Sequence, residues 1–549
     1  MFEGANFGLV LKALAAAIPA DRPALVHGER VVAWGAFGAL TDRIAAGLAA
    51  RGLKPGDIAG QMLRNTPEYL LAWFGCVKAG LVPVNVNYHY QRRELADIAT
   101  RFGMKALFAE RDFAGTARAA MPQGAAVIAV GSAEWDSLCA GPLPEGFAVH
   151  DDPDALFLTA TGGTTGMPKA VMWPMRAAWA AFNIGVWTRP PGTPPLMARS
   201  LAEQVAEAVR IAPGHPANTS PLLLLSPLMH GAGLFSALIH LLKGGTLALL
   251  PAPKFDADCA LDEVRRLGAR SLFIVGDAFA LPLAERLDAR GDGAEALASL
   301  RTVASSGAVF SPALKARLLA HAPGLTIIDA LGSSESSGTG VVLTTAAGSS
   351  GGGRFQPIPG PGREVRLFDE NLREIPPGTP GVGIVARTGP LPLGYLGEDE
   401  KNAATFPVID GKRWLMTGDR ARWAADGSLE FIGRDNMCIN TGGEKVFPEE
   451  VEAVLMEHPA VRDVRVVSLP DPRFGRKVVA VVQPRIPPEG AAEGSLADAL
   501  DAHARAGLAA YKVPRRYVLT ESALRLNNGK PDYRTAQAIV DAAGDAVNR

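Results

Sequence analysis

Cysteine is scarce: Cys76, Cys139, Cys259 and Cys438 are the only four in 549 residues. Their scatter fits neither a zinc cluster nor a redox Cys-x-x-Cys pair. A secreted disulfide framework is not expected, and a reducing compartment fits better. Excess charge is also missing. The 55 Lys+Arg against 56 Asp+Glu leave a net charge of −1. Bulk charge therefore does not hold a polyanion, so no nucleic-acid partner is expected, although one local basic groove stays compatible. No apolar run approaches the roughly 18 residues of a spanning helix. Leu222–Leu225 stops at Ser226-Pro227, and the stretch near Leu241 stops at Lys243-Gly244-Gly245. Residues 1–25 carry Glu3, no early Lys or Arg, and Lys12 inside the apolar stretch, as an amphipathic opening helix does and a signal peptide does not. Several catalytic signatures are absent too: a Walker A loop, His-Glu-x-x-His, an EF-hand loop and Gly-x-Gly-x-x-Gly. Gly-x-Ser-x-Gly occurs only at Gly348–Gly352, in a small-residue stretch without the strand-turn-helix setting of a nucleophile elbow.

What is present is bulk and punctuation. A chain of 549 residues exceeds the roughly 250–300 residues one core supports, so two or more lobes are expected. Hydrophobic residues at 48% and charged residues at 20% are ordinary globular values. The 60 glycines and 42 prolines show no collagen-like period and indicate turns and working loops.

Helical and strand-like patterns alternate along the first third. Trp34–Arg51 has helical spacing, Asp57–Leu63 reads as a strand, Tyr69–Ala79 as an apolar helix and Leu81–Val86 as the next strand. Similar strands are expected at Leu222–Leu225, Thr246–Leu250, Leu272–Val275 and Thr326–Ile328. Such alternation implies parallel sheet layers covered by helices. Arg189–Pro195 and Ala346–Gly353 look like loops. Around Ile358–Tyr395, Pro-Gly punctuation suggests a small β-rich subdomain. After Phe431–Arg434 a new unit is expected, with helices at Pro448–Glu457 and Leu496–Gly507 and strands near Val464–Ser468 and Val478–Val482. The fold class is thus α/β: a large N-terminal domain of layered sheets plus a β-rich subdomain, then a small α+β domain of about 110 residues. The division falls at 1–433 and 434–549.

The strongest local signal is Thr161-Gly162-Gly163-Thr164-Thr165-Gly166-Met167-Pro168-Lys169, directly after the strand-like Ala155–Thr159. Close glycines let successive N–H groups cradle phosphate oxygens, the threonines add donors and Lys169 adds charge. Taken alone, the segment is also compatible with a flexible surface loop.

In order along the chain follow Leu331-Gly332-Ser333-Ser334-Glu335, Thr417-Gly418-Asp419, Gly433-Arg434, Ile439–Glu450 and Gly529-Lys530-Pro531-Asp532-Tyr533-Arg534. Together with Thr161–Lys169, this set resembles the ANL superfamily of adenylate-forming enzymes over residues 20–540. It is most similar to bacterial fatty-acid and steroid side-chain CoA ligases of the FadD type. The resemblance implies an ATP-dependent, AMP-forming acid–CoA ligase of the cytoplasm. A hydrophobic carboxylic acid (medium- or long-chain, branched, steroid side-chain or aryl-alkanoic) would form an acyl-adenylate and then pass to coenzyme A. An acyl-AMP ligase serving a carrier protein and a non-catalytic nucleotide-binding paralogue stay open as alternatives, as does the oligomeric state, a homodimer included.

Residue roles follow from the same resemblance. Thr161–Lys169 clamps pyrophosphate, and Lys530 orients carboxylate and phosphate. Glu335 contacts Mg²⁺, a hard cation that prefers oxygen, with Thr161 as a second metal contact. Asp419 accepts from the ribose hydroxyls, and Arg434 reaches the ribose or the AMP phosphate. Gly307-Ala308 and Asp329-Ala330-Leu331-Gly332 wall the adenine, with Ser334 beside the nucleotide. His230 lies by the acyl carboxylate, positioning it rather than acting as a base, since that carboxylate is already ionised. The hinge falls at Asn436, whose residue type tolerates unusual backbone angles, and makes the C-terminal domain mobile; Gly442-Gly443 leaves room for the pantetheine arm. Ala160, Leu331 and Ala170 depart from frequent family residues, and Leu331 removes an aromatic that would stack on adenine.

Overall fold

The computed structural model describes residues 6–161, 168–187, 195–211, 221–360, 362–434, 437–441, 444–471, 475–485, 493–526 and 529–543. Apolar spacing decides the elements as expected. Helices run over Phe7–Ala17, Trp34–Ala50 and Pro67–Lys78, and strands over Ile58–Met62 and Val82–Asn85. The Pro67–Lys78 helix starts with Pro at its first position, where the missing N–H costs nothing. Every residue of it is buried, which matches its nearly uninterrupted apolar sequence.

Two large sheets organise the chain. The first, of ten strands, has the order Gly348–Ser349, Gly340–Thr345, Thr326–Leu331, Thr302–Ser306, Ser271–Ile274, Leu222–Leu224, Leu247–Leu249, Pro23–His27 and Arg30–Ala33; Gln356–Pro357 also pairs with Gly340–Thr345. Its central strands, from Thr326–Leu331 through Pro23–His27, are parallel. The second, of seven strands, runs Gly394–Tyr395, Lys169–Pro174, Leu156–Thr161, Val82–Asn85, Ile58–Met62, Met104–Ala109 and Ala126–Ala129. The principal core lies between them and joins Leu224 and Leu247 of the first sheet to Phe157 and Trp173 of the second through the buried faces of the opening helices. Separate clusters cover the outer face of each sheet.

A five-stranded antiparallel sheet follows, in the order Glu374–Ile375, Val365–Phe368, Gly383–Arg387, Leu415–Trp423 and Leu429–Arg434. It corrects the expected subdomain in two respects. The sheet reaches Arg434 rather than ending near Tyr395, and Gly394–Tyr395 leaves it to pair with Met172 and Val171 of the seven-stranded sheet. Local punctuation marks where strands end but not which distant strand they join. Ala346–Gly353, expected as loop, contains a two-residue strand and a 3₁₀ turn. The last unit packs Val461–Asp471, Gly475–Pro484 and Arg516–Leu519 between helices Pro448–Met456, Glu493–Gly507 and Tyr533–Ala542. Among the described residues, no helix is long and apolar enough to cross a membrane.

Candidate active site at the strand ends

Parallel strands collect their C-terminal ends on one rim, and ligands of open α/β sheets bind there. In the ten-stranded sheet that rim carries Gly307-Ala308 after Thr302–Ser306, Ala330 and Leu331 at the end of Thr326–Leu331, and His230 after Leu222–Leu224. Ser306 and Ala330 are paired neighbours, and Ser306 Oγ donates to the Ala330 carbonyl at 3.0 Å. Gly307 has φ +90°, and a Cβ there would meet nothing closer than 3.7 Å, so its backbone presents a bare face. The Asp329 carboxylate is buried on Lys315 Nζ at 2.7 Å. Burial raises its pKa while Lys315 opposes the rise.

In the seven-stranded sheet, Thr161 and Lys169 face each other as the closing pair of a hairpin. Thr161 Oγ1 donates to the Lys169 carbonyl at 3.3 Å. Gly162, Gly163, Thr164, Thr165 and Gly166 lie outside the described residues, as do Asn436, Gly442, Gly443 and most of the proline-rich Arg189–Pro195. Lys169 Nζ stands 5.6 Å from the centroid of the Tyr395 ring. Burial and the charges of Lys401 and Arg101 lower its pKa, and Glu335 works against them.

Side chains that clamp main chain fasten the two sheets together around this rim. Asn85 donates to the Ala160 and Met229 carbonyls, and its Oδ1 accepts from Ala160 N at 2.7 Å. Asn65 spans Ser226 O and Leu228 N at 2.9 and 2.7 Å. Trp173 Nε1 donates to Ser334 O at 2.9 Å. Sequence reasoning passed over all three. Glu335 sits in a turn whose Ser333 Oγ accepts from the N–H groups of Glu335 and Ser336. Ser334 packs so closely on Gly231 that a Cβ there would lie 2.9 Å from its Oγ. His230 precedes the helix Gly231–Leu242 without capping it through its side chain. Burial, then Lys530 and His89, push its pKa down to about 3, so its imidazole is neutral.

Asp419 stands where the strand Leu415–Trp423 slips its register against Gly383–Arg387, a bulge that re-aims side chains. Its Oδ2 accepts from Thr417 Oγ1 at 2.7 Å and its Oδ1 from Arg434 Nε at 2.8 Å. A carboxylate offers about four lone-pair sites, of which these two bonds take two among the described residues. Lys530 arrives from the C-terminal unit on a turn in which Gly529 N donates to Leu526 O at 2.8 Å. Gly529 has φ +81°, and a Cβ there would meet Ala278 Cβ at 2.4 Å, so both conformation and contact require glycine. Burial and Arg434 lower the Lys530 pKa while Glu335 raises it. Lys530 is thus near enough for its charge to act on His230 and to feel Glu335 and Arg434, although Glu335 and His230 lie 195 and 300 positions away in sequence.

Residues 12–396 match the model of the AMP-binding enzyme family, and residues 450–530 match its C-terminal domain. The chain belongs to the AMP-binding enzyme family. The ANL resemblance of the motif set holds along nearly the whole chain. The medium/long-chain-fatty-acid–CoA/3-oxocholest-4-en-26-oate–CoA ligase of Mycolicibacterium smegmatis is 35% identical over 541 residues, covering 96% of this chain and 94% of that protein. The 3-oxocholest-4-en-26-oate–CoA ligase of Rhodococcus rhodochrous is 34% identical, covering 94% and 93%. A benzoate CoA ligase structure from Burkholderia xenovorans superposes with TM-score 0.79 over 97% of this chain and 99% of its own at 21% identity, a likeness of fold. This AMP-binding enzyme therefore has the adenylate-forming architecture, with a large N-terminal and a small C-terminal part.

Proposed function

We propose that this AMP-binding enzyme is an ATP-dependent acid–CoA ligase that activates a hydrophobic carboxylic acid, medium- or long-chain or steroid side-chain, as its acyl-adenylate. The observation that carries this reading is the gathering of motif residues at one rim, where Arg434 bonds Asp419 at 2.8 Å and Lys530 stands near enough to Glu335 and Arg434 to feel their charges. The acid carboxylate attacks the α-phosphate of ATP, pyrophosphate leaves, and the CoA thiol then displaces AMP. Both partners of the first step are anions, so fixed cations and donors must offset their repulsion. Lys530 bridges acid and α-phosphate, Lys169 and the Thr161 loop hold the departing pyrophosphate, and Asp419 takes the ribose hydroxyls with Arg434 alongside. The neutral His230 packs by the acyl carboxylate without adding charge.

The donor set suits Mg²⁺. No cluster of three or more His, Cys, Asp or Glu exists among the described residues, and an ATP-borne Mg²⁺ needs only one or two carboxylates besides phosphates and water. Glu335 is that carboxylate, with the Thr161 hydroxyl nearby. When bound, the ion supplies charge neutralisation on the phosphates. The division at residue 433, the rotation about a hinge near 436, and the Gly442-Gly443 passage for CoA belong to the same proposal. So does a cytoplasmic setting, where ATP and CoA are both available.

The test is a panel of fatty, steroid side-chain and aryl-alkanoic acids with ATP, Mg²⁺ and CoA, read for pyrophosphate and thioester. Thioester with the aliphatic or steroid acids supports the proposal. Pyrophosphate without thioester assigns a carrier-protein acceptor instead, and no turnover with any acid refutes catalysis.

A further inference from the structure

Tyr395 belongs to none of the motifs above, yet it touches two of their charged groups. Its hydroxyl donates to Glu335 Oε1 at 2.7 Å, and its ring lies under the Lys169 ammonium. The phenol has one proton, and an ionised carboxylate only accepts. The direction of the Tyr395–Glu335 bond is therefore fixed. Among the described residues, Glu335 Oε2 has no hydrogen-bond partner.

The tyrosine is itself clamped. Tyr395 N donates to Asn402 Oδ1 at 2.6 Å, and Asn402 Nδ2 donates back to Tyr395 O at 2.8 Å. A Cβ on Gly394 would fall 2.6 Å from that same Oδ1, so glycine is what lets the amide close on the strand. Phe406 packs on the ring at 6.0 Å, and Tyr395 is 6% exposed. The helix Asp399–Thr405 thus grips the strand's backbone through Asn402. A tyrosine that only filled core would be satisfied by any carbonyl; this one is clamped at its backbone and gives its proton to Glu335, the carboxylate whose charge acts on Lys530.

We infer that Tyr395 is a positioning residue for Glu335: it fixes one carboxylate oxygen so that the other faces the cation and phosphates of ATP. This rests on the ligase reading above. Partners that orient metal-binding carboxylates are typically worth about 10–100-fold in metal affinity or activity.

The test compares wild type, Tyr395→Phe and Asn402→Ala. Free Mn²⁺ is titrated by electron paramagnetic resonance in the presence of ATP without acid. Pyrophosphate release, and thioester formation from supplied acyl-adenylate and CoA, are then measured separately. Tyr395→Phe is expected to raise the Mn²⁺ half-saturation and slow pyrophosphate release by about 10–100-fold while the thioester step changes less than about twofold. Asn402→Ala, which leaves the hydroxyl in place but releases the backbone of Tyr395, is expected to shift both in the same direction by less. Unchanged Mn²⁺ titration in both variants, or equal loss in both half-reactions, overturns the inference. A wild type that binds Mn²⁺ with ATP but adenylates no acid refutes the ligase reading instead, and the Mn²⁺ titrations still decide the role of Tyr395.

Discussion

Glu335, Ser334 and His230 sit on segments fastened by buried bonds from Trp173, Asn85 and Asn65 to main chain. Lys530 reaches the same rim on a turn held by different forces: the Gly529–Ala278 contact, Arg525 at 3.9 Å from Asp277, and Arg462 at 3.2 Å from Glu285. Removing a buried side-chain donor strands a carbonyl and costs roughly 1–3 kcal/mol, whereas a partly exposed ion pair such as Arg462–Glu285 contributes roughly 0–1 kcal/mol; Arg525–Asp277 is the buried exception. The proposed rotation of the C-terminal domain fits this contrast, with one half of the site fastened through main chain and the other joined through side-chain contacts and ion pairs. Polar contacts between domains of one chain generally permit such motion.

Lys530→Ala gives the sharpest break between the halves. Loss of a charge-stabilising donor is expected to lower pyrophosphate release by about 10²–10³-fold. ATP binding, which the fastened half supplies, should change little. Equilibrium dialysis of ATP and a stopped pyrophosphate assay check both, and unchanged pyrophosphate release removes Lys530 from the adenylation step.

The same contrast separates what the sequence makes legible from what it does not. Helices such as Trp34–Ala50 and strands such as Leu222–Leu224 follow from local spacing, because burial of one face is a local constraint. The pairing of Thr161 with Lys169 was implicit in a strand followed by a glycine loop. The meeting of Glu335, Arg434 and Lys530 was legible through ordered motifs, not through periodicity. Tyr395, Asn85 and Trp173 left no trace. Their bonds span 60, 75 and 161 residues, and nothing near an asparagine or tryptophan in sequence reveals which distant carbonyl or carboxylate it meets. Asp329 shows the converse, since its place in a motif did not disclose that its carboxylate is committed to Lys315.

Glu449 sharpens the comparison, for it lies in the C-terminal unit against Gly433, at 2.8 Å from where a Cβ would stand. Burial, then Glu452, push its pKa up to about 7, and its Oε2 has no hydrogen-bond partner among the described residues. A carboxyl raised in the folded state favours folding below its unfolded pKa and loses that advantage as pH rises toward 7. Glu449→Gln should therefore match wild type in thermal denaturation near pH 4.5–5. It should be more stable at pH 8, by at most about 3 kcal/mol. A difference independent of pH between 5 and 8 would show that Glu449 is charged in the folded protein.

Arg462→Ala tests the docking half with the smallest expected effect. Both side chains of the Arg462–Glu285 pair are partly exposed, so their contribution lies near 0.2–1 kcal/mol, a factor of at most about five in the docked population. In the proposed cycle adenylation uses the arrangement that brings Lys530 near Glu335, and thioester formation uses another. The variant should therefore slow pyrophosphate release by up to about fivefold and leave thioester formation from supplied acyl-adenylate unchanged or slightly faster. Because the pair touches neither nucleotide nor acid, opposite movement of the two half-reactions is explained by the docking equilibrium alone. Equal slowing of both would mean that the C-terminal unit holds one position throughout the cycle and that the polar contacts merely decorate a fixed interface. Added salt should reproduce the substitution in wild type and have little further effect on the variant, since screening acts on the same exposed charges.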